Sequence, residues 1–377
     1  LIPAVQRQAL GLMEITQALK ELHQPKPGMQ ISDVNAGTHP AIKRLVFEEF
    51  MAHHLSLRQL RLAIKERAAK KIPTDFELST AFLNSLAFQL TKAQQRVIEE
   101  ILQDMALGNP MLRLVQGDVG CGKTAVAALT ALAVISAGGQ VALMAPTELL
   151  AEQHAASFKA WFEPLGIDVV YLIGKQSVAE RKMNLQRIAS GAAMVIGTHA
   201  LMQEHVQYQN LVLVIVDEQH RFGVHQRLSL RDKGESGDYS PHQLILTATP
   251  IPRTLAMSAY ADLDVSIIDE LPPGRIPVQT VALANTRRDE VIARIAHLCL
   301  QGSQVYWVCT LIDESEEIQA QSAQAAYDLL TTNLPSCSLA LLHSKVPQAA
   351  KKNIMQAFKA NQIQILVATT VIEVGVD

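Results

Sequence analysis

The chain has 377 residues, 49% of them hydrophobic and 18% charged, with a formal net charge of −3. At ~150 residues per domain there is room for two or three packed domains, and the near-neutral balance excludes a generally cationic surface, so nucleic-acid contacts must come from local basic clusters. No apolar run approaches the ~18 residues of a membrane span, the start "LIPAVQRQAL" lacks the basic stretch and apolar core of a secretory signal, and Cys121, Cys299, Cys309 and Cys337 show no CxxC spacing, which fits a reducing cytosol.

Residues 1–80 read as helical. Ile42, Leu45, Val46, Phe50, Leu57, Leu60 and Ile64 recur on one face at helical spacing, and "QPKPG" (24–28) separates helical pieces. Lys and Arg residues between 58 and 71 are candidates for a phosphate backbone, although charge on a helix is more often a solvated face.

From 81 to 275 the pattern alternates. Apolar β-type runs at 111–116, 141–145, 169–173, 193–197, 211–216 and 243–247 are separated by helical stretches, notably 94–106, 123–137 and 148–162. Continuous apolar strands joined by helical crossovers predict a parallel sheet covered on both faces. "ELPPGR" (270–275) is a Pro- and Gly-rich break. The alternation then restarts with strands at 278–283, 304–309, 338–343 and 363–368, and helices near 288–299, 316–331 and 347–360. The predicted class is therefore α/β, with a helical linker (1–80), a first parallel-sheet lobe (81–275) and a truncated second lobe (276–377).

The chemistry concentrates in the first lobe. Thr91 and Gln94 in "FQLTKAQQRVI" precede a glycine-rich loop, and a Gln amide can pair with both donor and acceptor on adenine. In "LRLVQGDVGCGKTAVAAL", Gly117, Gly122, Lys123 and Thr124 fit G-x-x-x-x-G-K-[ST], with an apolar strand before and an Ala-rich helix after. The glycines let backbone N–H groups face phosphate oxygens, and the helix start near Lys123 adds its positive end. Lys123 would bridge β- and γ-phosphates, and Thr124 would ligate Mg²⁺. "APTELLAEQ" (145–153), "GTHAL" (197–201) and "TATPIPRT" (247–254) each place Thr, His or Arg where a strand ends. Individually these are ordinary caps or turns; together they suggest a track for a sugar–phosphate chain.

"VLVIVDEQH" (212–220) closes a buried-type strand with Asp217, Glu218, Gln219 and His220. Groups so costly to bury make sense beside a polyphosphate cradle, because ligand chemistry gathers at the carboxyl ends of parallel strands. Asp217 is placed to hold Mg²⁺ through its shell, and Glu218 to orient or deprotonate the attacking water. The absence of an N-K-x-D motif argues against guanine and leaves ATP as the expected nucleotide.

In order, "GDVGCGKT", "APTELLAEQ", "DEQH", "TATP" and "ATTVIEVGVD" resemble motifs I, Ia, II, III and the start of motif V of superfamily 2 helicase motors. "DEQHRFGVHQR", "TATPIPRTLAM" and "ELPPGR" are similar to the RecG family of bacterial ATP-dependent DNA helicases, a resemblance extending from about residue 10 to 377. Transcription-repair coupling factors share part of the pattern but typically carry a second Glu where Gln219 stands. The resemblance implies two RecA-like lobes, with ATP and Mg²⁺ at Gly120, Gly122, Lys123, Thr124 and Asp217. It also implies hydrolysis by Glu218, nucleotide sensing by Gln219 and His220, coupling to movement by Thr247 and Thr249, and DNA tracking by Thr147, Thr198 and His199. Cys121 stands where the family often has Ser; since only its backbone would serve the loop, the expected consequence is susceptibility to thiol modification.

The resemblance further implies branched double-stranded DNA (stalled forks, Holliday junctions) as partner in recombination and repair, and a monomeric, cytoplasmic, nucleoid-associated bacterial protein. Because the chain opens on Leu and closes on a strand and loop, it is expected to be a fragment. The family's OB-fold wedge would precede it and its arginine-finger motif Q-x-x-G-R-x-G-R would follow, so this stretch alone would bind ATP but hydrolyse it poorly. Two other readings are a double-strand translocase that displaces RNA polymerase and a nucleotide-gated scaffold. Glu218 counts against the scaffold, which needs no water-orienting carboxylate.

Overall fold

The computed structural model describes residues 2–74, 77–218, 233, 239–249, 263–272, 278–309, 316–343 and 345–369. The chain divides into two compact units, Leu1–Pro273 and Gly274–Asp377. Five helices open the first unit: α1 (Ala4–Ala9), α2 (Ile15–His23), α3 (Ile31–Asn35), α4 (Pro40–Lys65) and α5 (Leu78–Ser85). On α4 the buried stripe is not the expected one. Val46 and Phe50 are exposed, whereas Ala41 and Arg44 are buried and Arg44 pairs with Glu48 one turn on.

The basic run that follows turns partly inward. Lys70 Nζ donates to the Ala137 carbonyl at 2.6 Å, Arg67 reaches Ser240 Oγ, and Ala69 N–H donates to the Gly108 carbonyl. His242 completes the seam: its Nδ1 accepts from Met111 N–H, and its Nε2 bonds the Lys70 carbonyl. Burial holds that imidazole below the usual histidine range, which suits a ring that must stay neutral to do both. Lys70 and Arg67 thus tie the end of the helical region to the sheet domain, while Arg58 and Lys71 are exposed.

Seven parallel strands follow in the order β3–β4–β2–β5–β6–β1–β7. They are β1 (Leu112–Gly117), β2 (Gln140–Met144), β3 (Val169–Leu172), β4 (Met194–Gly197), β5 (Leu211–Asp217), β6 (His242–Thr247) and β7 (Asp264–Ile268). Helix α6 (Lys92–Ala106) precedes β1, and α7 (Lys123–Ser136), α8 (Glu148–Phe162) and α9 (Val178–Ala189) run between the strands. The apolar strands bury alternate residues on opposite faces, as a doubly covered sheet requires. Val115, Leu143, Ile215 and Leu246 join one core with α6 and α7, while Leu114, Met144, Val214 and Ile245 join the other. Buried along most of its length, α7 explains the run of alanines that lets it lie close to its neighbours.

Strand β7 escaped the sequence reading. Its apolar Val265 and Ile267 face outward while Ser266 and Ile268 face inward, so the hydrophobic alternation is broken. Side-chain bonds add to its pairing with β1 and the burial of Ile268: Arg113 Nη1 donates to Ser266 Oγ at 2.6 Å, and Ser266 Oγ donates to Glu100.

The second unit is a three-stranded parallel sheet, β8 (Val305–Cys309), β10 (Ile365–Thr369) and β9 (Leu339–Leu342) in that spatial order. It is wrapped by α10 (Arg288–Leu300), α11 (Glu316–Asn333) and α12 (Gln348–Lys359). The strand expected at 278–283 does not form; the segment is irregular and exposed. No described helix is long and apolar enough to cross a membrane.

Candidate active site

The carboxyl edge of the large sheet is level. In the register of β5, β6 and β1, Asp217 lies abreast of Leu246, which lies abreast of Val115; Thr247 lies abreast of Gln116. The loop that leaves β1 at Gly117 and the acidic pair that leaves β5 at Asp217 therefore open on the same side. Only β6 separates them, a spacing of about 10 Å at the usual interstrand distance.

The loop 117–124 is shaped by its glycines. Gly122 is the N-cap of α7 at φ +85°, and a Cβ there would lie 2.2 Å from the Gln94 amide nitrogen. A Cβ on Gly117 would lie 2.4 Å from Cys121 Sγ. The backbone thus folds into a cradle that side chains would fill, ending at the positive end of a 14-residue helix. Lys123 lies across this cradle, with Nζ donating to the carbonyls of Gly117 at 2.7 Å and Asp118 at 3.0 Å. Thr124 follows in the first turn of α7.

Thr91 and Gln94 lie behind the loop. They form a capping box at the start of α6, in which Thr91 Oγ1 accepts from Gln94 N–H and Gln94 Oε1 accepts from Thr91 N–H at 2.8 Å. Gln94 Nε2 then donates to the Cys121 carbonyl at 2.8 Å, and the residue is 1% exposed. The sequence reading gave this amide to adenine. Here both of its polar atoms are engaged inside the fold, where they brace the phosphate-type loop against α6.

Cys121 also departs from expectation. It is buried against Gly117, and desolvation raises its thiol above the usual range despite the opposing pull of the Lys123 charge and N–H. A buried, protonated thiol is a poor nucleophile. Cys121 is therefore expected to resist iodoacetamide at pH 7.5 in the folded protein and to react after denaturation, as read by mass spectrometry. Prompt labelling of the native protein would contradict this.

Glu218 sits just past β5 in the left-handed region at φ +49°, a conformation that costs a non-glycine residue roughly 1–3 kcal/mol. Two bonds to the end of β6 hold it there: its N–H donates to the Leu246 carbonyl at 3.0 Å, and its Oε1 accepts from Ala248 N–H at 3.1 Å. Thr247 is buried, and its Oγ1 accepts from Thr249 N–H at 3.2 Å. The acidic pair and the "TAT" segment are thus hydrogen-bonded to each other, whereas Gln219 and His220 lie outside the described residues.

Asp217 is 8% exposed and bonds through Oδ2 to His154 Nε2 at 2.8 Å. His154 was missed in the sequence. The available signal was a histidine on the stripe Ala151, His154, Ala155, Phe158 and Phe162 that α8 buries, because a polar group on a buried stripe demands a buried partner.

The remaining candidates cluster further along the same edge, beyond β2 and β4. Thr147 caps α8, its Oγ1 accepting from Leu150 N–H at 3.3 Å. Thr198 is buried, its Oγ1 unpaired among the described residues, and His199 beside it is exposed. Met144 and Gly197 are register partners, so both segments emerge side by side.

Two family models match the chain: DEAD/DEAH box helicase over residues 91–258 and helicase conserved C-terminal domain over 289–377. ATP-dependent DNA helicase RecG of Escherichia coli K12 is 55% identical over 97% of this chain. The chain belongs to the RecG family of helicases. RecG of Aquifex aeolicus is 43% identical over 97% of the chain. A solved structure of RecG bound to a three-way DNA junction covers all of the chain at 36% identity with a TM-score of 0.77. The helicase MrfA bound to DNA and AMPPNP, 18% identical with a TM-score of 0.59 over 83% of the chain, shares the fold. The chain spans about half the length of the RecG relatives: 53% of the E. coli K12 protein, 46% of the Aquifex protein and 48% of the solved RecG chain.

Proposed function

We propose that the chain is the motor portion of an ATP-dependent DNA helicase that acts on branched DNA in recombination and repair. The observation that carries this reading is the level edge on which the Gly117–Thr124 cradle and the Asp217–Glu218 pair flank the end of β6. Glycine-shaped amides, a helix N-terminus and a lysine on one side, and two carboxylates on the other, suit a nucleoside triphosphate. Lys123 exchanges its bonds to the Gly117 and Asp118 carbonyls for phosphate oxygens, and Glu218 orients the attacking water.

A hydroxyl and a carboxylate are hard oxygen donors, the kind Mg²⁺ takes in small number while phosphates complete its shell. Thr124 and Asp217 would hold the ion, which neutralises charge on the β- and γ-phosphates when bound. Hydrolysis reaches the DNA track through bonds within the sheet edge: Glu218 holds Ala248, and the Thr247–Thr249 turn around it is read as the coupling segment. Thr147, Thr198 and His199 lie along the same edge as DNA-facing candidates, and the relatives' branched-DNA partner is carried over here as a proposal.

The test is ATPase of the natural full-length protein with forked DNA, plain duplex or no DNA. Forked DNA is expected to stimulate most. Equal stimulation by plain duplex would favour a translocase of the transcription-repair coupling kind, and nucleotide binding without turnover would favour a scaffold.

A further inference from the structure

Among the described residues, the acidic end of β5 makes a close buried contact that the proposed function has not used. His154 and Asp217, 63 positions apart, are each 8% exposed and meet at 2.8 Å through Nε2 and Oδ2. A carboxylate only accepts, so the proton of this bond belongs to Nε2. The imidazole comes from α8, a 15-residue helix whose N-cap is Thr147, so one rigid rod carries both the cap at the DNA-facing edge and the partner of the acidic strand end.

Resting on the nucleotide site proposed above, we propose that His154 is a positioning residue for Asp217: its Nε2–H fixes Oδ2, so that the carboxylate presents Oδ1 to Mg²⁺ in one orientation. An unheld carboxylate rotates, and each orientation it visits away from the ion lowers the fraction ready to bind. Groups that orient a metal ligand in this way are commonly worth 10–100-fold in metal affinity or activity. The role is geometric. It needs an N–H at this reach and no change of charge.

Two variants of the natural full-length protein separate this from packing. His154→Phe keeps a ring in the pocket but has no donor; His154→Gln gives up the ring and returns an N–H at similar reach. Binding of Mn²⁺ in the presence of ADP, read from the EPR signal of free Mn²⁺, is expected to weaken by roughly 10-fold or more in His154→Phe. It is expected to recover toward wild type in His154→Gln, with the Mg²⁺ concentration for half-maximal ATPase moving in parallel. If His154→Phe does not fold, His154→Leu serves as the donor-free variant. Equal Mn²⁺ affinity in wild type and both variants overturns the proposal. So does a Gln variant as impaired as the donor-free one, because the loss would then belong to packing. Lys123→Ala is the control for the site itself. If it binds and hydrolyses ATP like wild type, the nucleotide site is misplaced. If it is inactive while both His154 variants match wild type, only the positioning role falls.

Discussion

Lys123→Ala in the natural full-length protein is expected to lower ATPase by at least ~10²-fold, the order lost when one preorganised donor to developing negative charge is removed. The fold should tolerate the change. Lys123 sits at the first turn of α7, and what it holds is a pair of carbonyls, Gly117 and Asp118, in its own loop. Losing bonds of that kind costs about 1 kcal/mol. Alanine favours a helix, and the core contacts of α7 begin two residues later at Ala125. A melting temperature close to wild type together with vanished turnover is therefore the predicted signature. Turnover within tenfold of wild type would remove Lys123 from the phosphate site. A collapse of thermal stability would instead show that the lysine is mainly a staple for its own loop.

Glu218→Gln is expected to separate binding from hydrolysis. The side chain has two tasks in the proposed site. Its Oε1 accepts from Ala248 N–H at 3.1 Å, and in the proposed reaction its carboxylate orients the attacking water. Glutamine keeps an oxygen for the first task and gives up the basicity needed for the second. Because the φ of +49° is held by the Leu246 and Ala248 bonds, the residue should stay where it is. ATP affinity, measured with a fluorescent analogue, should change little, while kcat falls by ~10²–10⁴, the usual contribution of a placed general base. A variant that keeps one tenth or more of wild-type kcat would exclude Glu218 as the base. Parallel loss of binding would mean that its bond to Ala248, and not its charge, shapes the site.

Much of the active edge was legible because its signals are local. A strand, a glycine turn and a helix start follow one another within residues 112–136, and each declares itself through period, turn chemistry and capping. The same holds for β5, whose apolar run could only be a covered strand, and for its acidic end. Local signals are silent on what a residue meets across the fold. The amide of Gln94, read as facing adenine, bonds the loop 27 positions on. Cys121 looked exposed to reagents on a loop, but the packing of that loop buries its sulfur against Gly117. Lys70 looked like part of a basic face until Ala137 supplied a carbonyl 67 positions away.

Most of the strands and helices, the α/β class, the glycine cradle and the acidic strand end follow from the residues alone, since pattern and turn chemistry act over a few positions. Tertiary structure decided which strands are neighbours, that Ser266 and not Val265 faces inward on β7, and that His154 meets Asp217. The reason is physical. A hydrogen bond between residues 63 apart leaves no periodicity in the chain, and a buried donor or acceptor is satisfied by whichever group the packing of whole elements brings within about 3 Å.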